Sequence, residues 1–232
     1  MKEKHYVTAA EKLRNSILGM MDGIISTVGV ISGVSGATSN IFIVFIAGIA
    51  AALAEAVSMF FSAYISSKTE EEVFEREKMQ EEEYVKKTPK VERKEIYDIY
   101  KTKGFKGREL EMIVNRITSD KKLWIKTMLI EELGIMPRIY SPLKEAVLVF
   151  AGSAIGGLIP LIPFLVGLVP QFQFSVVISI LVLFSIGVYK SSITQKGLLR
   201  SGLESMIAGI LAIVIAYYIG VFFSMIFNIP RV

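Results

Sequence analysis

At 232 residues the chain is 52% apolar, carries a net charge of +4 at neutral pH and still holds a polar block of about seventy residues, a balance that excludes an ordinary soluble globule and points to a membrane protein with one extramembrane domain. It has no cysteine and a single histidine, which excludes structural disulfides, iron–sulfur clusters, thiolate zinc sites and paired-histidine motifs such as HExxH. Any metal must be held by carboxylate, thioether, hydroxyl or carbonyl groups.

In chain order, the opening MKEKHYVTAAEKLRNS is charged and polar where the apolar centre of a cleavable signal would lie, so residues 1–16 are expected to remain as an N-terminal segment. Apolar runs long enough for a hydrocarbon core of about 30 Å follow at about 17–37, 41–65, 145–169, 172–189 and 203–229, and predict five spans. Lys2, Lys4, Lys12 and Arg14 precede the first, and Lys190, Lys196 and Arg200 join the last two, whereas the links GATSN and VPQFQ are uncharged. The positive-inside bias places the N-terminus and the polar block in the cytoplasm, with Arg231 a small violation on the far side. That clustering explains the basic charge better than nucleic-acid binding, which is not expected.

Two acids fall inside the first two spans. Asp22 lies in ILGMMDGIISTVGVISGV and Glu55 in FIVFIAGIAAALAEAVSMFF, with Met59 one helical turn after Glu55. A charge at the centre of a span costs about 2.5–3.5 kcal/mol even on the mildest scale, so each acid is a functional hypothesis by default. Counting about 1.5 Å per residue from the expected boundaries puts Asp22 about 8 Å, Glu55 about 10 Å and Met59 about 4 Å deep, in a vestibule open to the cytoplasm, with Ser26, Ser58 and Ser62 as further hydroxyls. A thioether beside an acid favours a transition metal over hard ions. The bland alternatives are an Asp22 bonded to a neighbouring helix and a protonated Glu55 hydrogen-bonded across a helix interface. Glu145, Lys190 and Glu204 read as interfacial.

From Ser62 to Lys87 there is no proline or glycine, so the second span is expected to run on as a helical stalk as far as Pro89. Residues 70–83 hold eight glutamates against Arg76 and Lys78. Further helices are expected at about 92–103, closed by Gly104, at 107–118, and from a cap at Ser119 or Asp120 to a C-terminal Gly134. Glu92 and Glu95 share a helix face, as do Met128 and Glu132, and such pairs can grip a cation; solvated glutamates and a core methionine are the bland reading. In the third span, GGLIPLIPFLVG predicts a kink with freed carbonyls.

The motifs MDGIISTVGVISGVSGA, AEAVSMFFSAYISSKTE, the Glu-rich excursion, WIKTMLIEELG and GGLIPLIPF, in this order, resemble the vacuolar iron transporter family over nearly the whole chain. The resemblance implies an all-α integral membrane homodimer of five-span subunits, with spans at 17–67 and 141–232 and a cytoplasmic Glu-rich helical metal-binding domain at 68–140. It implies no resident cofactor and export of Fe(II), often with Mn(II), from the cytoplasm in exchange for protons; in a prokaryote the host would be the plasma membrane. The implied pathway runs along the dimer interface through Asp22, Ser58 and Met59, and the implied metal-gathering residues are Glu81, Glu92, Glu95, Met128 and Glu132. Three positions depart from the pattern: Ala51 stands where a pathway glutamate is expected, with Glu55 one turn on as this chain's own candidate, and Tyr84 and Leu129 replace a domain glutamate and a second methionine. The rival readings are a metal-sensing or metal-buffering membrane protein without transport, and a membrane di-iron oxidase. The usual Glu-x-x-His pairs of the oxidase are missing, since His5 is the sole histidine.

Overall fold

A computed structural model describes residues 7–136, 141–194 and 197–227. Lys2, Lys4, His5, Lys196, Arg231, residues 137–140 of the polar block and residues 228–229 of the fifth expected span lie outside the described residues, as do the side chains of Lys12 and Arg14. Among the described residues every regular element is helical. They are α1 (Val7–Ala37), α2 (Ile41–Lys87), α3 (Pro89–Thr102), α4 (Gly107–Thr118), α5 (Lys121–Glu131), α6 (Pro142–Leu158), a 3-10 turn (Ile159–Leu161), α7 (Ile162–Leu165), α8 (Gln171–Thr194) and α9 (Leu198–Ile226). Among the described residues, five segments are long and apolar enough to cross a membrane: 15–37, α2, 142–165, 171–191 and α9. The chain divides into two compact units, one of residues 1–65 with 142–232 and the other of residues 66–141.

In the first unit α1 packs most extensively against α6 and α9, and α8 packs on α9. The α1–α6 contact is built on two glycine pairs spaced by four, Gly19 with Gly23 and Gly152 with Gly156. A Cβ at Gly23 would overlap the Ser153 carbonyl, and one at Gly156 the Met20 carbonyl. Backbones that approach this closely gain dispersion and Cα–H···O contacts, which substitute for the hydrophobic driving force that lipid removes. Around them, Ile31, Val44, Ala52 and Leu161 form one apolar cluster and Ile24, Leu183 and Ile186 another. The Asn40 carboxamide oxygen caps α2, accepting from the amides of Phe42 (3.1 Å) and Ile43 (3.2 Å). The expected break in the third span is present: α6 gives way to the 3-10 turn, and the Pro160 carbonyl accepts from the buried Ser175 hydroxyl of α8 at 2.6 Å. Thus the proline kink exposes an acceptor, and a serine from another helix satisfies it.

The second unit holds residues 66–87 of α2 together with α3, α4 and α5. Its core is Val85, Ile96, Leu110, Val114, Ile117, Trp124, Ile125, Met128 and Leu129. Pro89 occupies the first turn of α3, where its missing N–H is harmless, so only Thr88 separates α2 from α3. Gly104 (φ 100°) and Gly107 (φ 54°) make the turn into α4. The Asp120 carboxylate caps α5, accepting from the amides of Lys122 and Leu123. Helix α5 ends at Glu131, three residues short of Gly134, which takes the left-handed φ of 66° as the chain turns. Arg93 of α3 donates to Thr118 (2.9 Å) and Asn115 (2.7 Å) and pairs with Glu111, clamping α3 to α4.

Candidate metal sites

In the first unit Asp22 lies on α1, half-buried, four residues before Ser26 and therefore on the same helix face. The Ser26 hydroxyl donates to Glu55 Oε2 of α2 at 3.2 Å. This side-chain hydrogen bond ties α1 to α2 and brings Glu55 to the α1 position one helical turn from Asp22. Met59 is half-buried one turn beyond Glu55, and Ser58 is exposed. Phe60, next to Met59, meets Phe150 of α6 edge-on with centroids 6.2 Å apart. Ala51, Glu55 and Met59 form an i, i+4, i+8 stripe, so Glu55 lies on a face similar to that of the missing glutamate.

Glu145, interfacial by its place at the start of the third span, accepts through Oε1 from the buried Asn15 of α1 at 2.8 Å, tying α6 to α1. Glu204 is exposed and pairs with Arg200 at 3.2 Å.

The second unit gathers the remaining acids. Glu81 of α2 and Glu92 of α3 are each only 5% exposed, which is exceptional for a glutamate. One Glu81 oxygen, Oε2, is buried without a hydrogen-bond partner. Burial, followed by the charges of Glu132, Glu95 and Glu77, pushes Glu81 up to about 7. Burial likewise pushes Glu92 up to about 7, helped by Glu95, Glu81 and Glu132 and by a hydrogen bond with Glu95. Glu132, just past the end of α5, is raised by desolvation and by Glu95. Helices α2, α3 and α5 therefore bring Glu81, Glu92, Glu95 and Glu132 within electrostatic reach of one another. Sequence reasoning missed Glu77, although its i, i+4 spacing to Glu81 was the available signal.

No three acids among the described residues converge closely enough to form a ready cage for a metal ion. Like charges repel across the cluster, and that repulsion together with burial holds protons on Glu81 and Glu92 to higher pH than on a solvated glutamate. Met128 is fully buried in the apolar core beside Ile96 and Leu129, so its observed role is packing. Tyr84 is exposed, and its hydroxyl accepts from Gln80 at 3.2 Å.

Residues 13–221 match the model of the VIT family. Vacuolar iron transporter 1 of Arabidopsis thaliana is 33% identical over 220 residues, covering 93% of this chain and 87% of that protein. Vacuolar iron transporter 2 of Oryza sativa subsp. japonica is 31% identical, covering 93% and 88%, and the vacuolar iron transporter of Toxoplasma gondii 30% identical, covering 94% and 76%. With five membrane-length helices, acids on facing helices and similarity along nearly its whole length, the chain belongs to the VIT family, whose members are transporters and not enzymes.

Proposed function

We propose that this protein moves Fe(II) or Mn(II) out of the cytoplasm in exchange for protons. Its relatives are named for iron. The observation that carries the pathway is the Ser26–Glu55 hydrogen bond, one turn from Asp22. Two acids and the Met59 thioether on facing helices supply the mixed oxygen and sulfur donors that suit a borderline divalent ion. A carboxylate that releases its proton when the ion arrives, and regains one when the ion leaves, couples the two fluxes without further machinery. The 66–141 unit, placed in the cytoplasm by the positive-inside bias, would collect metal through Glu81, Glu92, Glu95 and Glu132 before it enters the membrane.

The pathway is completed in this reading by a second copy. Ala50, Ala54 and Ser58 are exposed on α2 at four-residue spacing, a small-residue stripe that favours close helix pairing in a bilayer. Pairing along it would enclose Ser58 and Met59.

The decisive experiment is Fe(II) flux in proteoliposomes under an imposed pH gradient. Wild type should accumulate Fe(II) only with the gradient, and the double variant Asp22→Asn with Met59→Ala should lose most of the flux. Undiminished flux in that variant would overturn the pathway. Metal retained by wild type with no flux under any gradient would favour the buffering reading instead.

A further inference from the structure

The second unit carries a groove that the acidic cluster does not use. It has a volume of about 390 Å³ and lies between the 74–82 stretch of α2 and helix α5, a size within the range of small-molecule sites. Its floor is apolar, formed by Phe74, Ile125, Leu129 and Ile130. Its rim is basic: Lys78 from α2, and Lys122 with Lys126 from α5.

Lys78 is engaged by Glu75 at 3.0 Å. Lys122 and Lys126 are exposed, stand one helical turn apart, and make no ion pair among the described residues. This is unusual in a unit whose α2 segment carries eight glutamates between residues 70 and 83. Glu82, the one acid on the rim, is also unpaired. Two free ammonium groups over an apolar floor match one chemistry: a molecule with an apolar body and a single anionic head.

We propose that this groove binds a small anionic amphiphile, a carboxylate with an aliphatic body, its head between Lys122 and Lys126 and its body on Phe74, Ile125 and Ile130. Ile135 also lines the groove, whose volume of about 390 Å³ suits a compact ligand better than a peptide helix, which would need a longer furrow. The site is independent of the transport reading, since none of the residues assigned to the metal pathway or collector lines it.

Trp124 is the only tryptophan in the chain and, although it does not line the groove, immediately precedes Ile125, which does, so it can donate energy to a dansyl group bound there. The full-length protein in zwitterionic nanodiscs would be titrated with dansyl-aminoundecanoic acid, with excitation of Trp124 and reading of sensitised dansyl emission. The expected result is saturable transfer at one probe per chain, displaced by dodecanoate. Lys122→Glu with Lys126→Glu should weaken binding at least about tenfold, the order expected from losing charge-assisted contacts, and so should the methyl ester of the probe. Transfer that rises linearly and equally in wild type and variant means partition into the bilayer and overturns the proposal. Equal binding of the methyl ester overturns it too, as does displacement by an acidic peptide but not by dodecanoate. If the charge-reversed variant fails to fold, as judged by Trp124 emission, Lys122→Gln with Lys126→Gln and the ester comparison decide.

Discussion

Ser26 and Glu55 form a pair whose energetic coupling is measurable. If Ser26 positions Glu55 for metal, Ser26→Ala should lower Fe(II) flux several-fold and change the preference between Fe(II) and Mn(II). Adding Ser26→Ala to Glu55→Gln should then cost little more, because partners in one interaction are not additive. Fully additive losses would show that the two act apart. Glu81 offers a second test at this scale. Its ordinary value is 4.5 and its value here is about 7, so between those pH values the folded unit holds a proton that the unfolded chain has released. That contribution to stability is complete below about 4.5 and is lost as pH rises through about 7, with a slope of at most about 1.4 kcal/mol per pH unit. Followed by Trp124 fluorescence, the melting temperature of the 66–141 unit should therefore fall from pH 5 to pH 7.5, and Glu81→Gln should flatten the fall. A divalent ion should raise the melting temperature most at the upper end, where the cluster is charged. The sequence showed Glu92 with Glu95 and Met128 with Glu132 as face-sharing pairs, with solvated glutamates the bland reading, and Glu81 only through the family resemblance; their burial and mutual approach were not legible. Glu81 and Glu132 are 51 positions apart, and no periodicity links residues on separate helices.

At the scale of elements, the helices in the polar block were readable because each has local punctuation. Asp120 supplies a cap and Gly104 and Gly107 supply positive φ; Pro89, expected only to stop the stalk with the next helix from about residue 92, instead occupies the first turn of α3. The stalk was readable from the absence of any proline or glycine from Ser62 to Lys87. The role of the membrane glycines was only half legible, since small residues announce close packing without naming the partner. The structure pairs Gly19 and Gly23 with α6, and Gly33 and Gly36 with α9. Because a Cβ at Gly23 or Gly156 meets backbone that cannot rotate away, Gly23→Val and Gly156→Val should each sharply reduce the yield of folded protein on size-exclusion chromatography. Gly29, with nothing within 4 Å of an added Cβ, should tolerate alanine with unchanged yield.

For the whole molecule, the absence of cysteine permits a direct test of pairing. Ala54→Cys on the exposed stripe of α2 should form a disulfide-linked dimer in membranes under mild oxidation, whereas Leu211→Cys on the exposed face of α9 should not. Equal crosslinking at both positions, or none at Ala54→Cys, would remove α2 as the pairing face. Hydropathy, charge placement and local helix signals determined five membrane-length helices, a long helical stalk and a helical polar block, because each of these depends on residues within a few turns of one another. Only the tertiary structure decided that Ser26 holds Glu55, that Glu81 and Glu92 are buried together with Glu95 and Glu132 near them, that Met128 is core, and that α5 lays two free lysines beside an apolar groove. Those facts depend on which helix faces meet, and that choice is set by packing between segments distant in the chain.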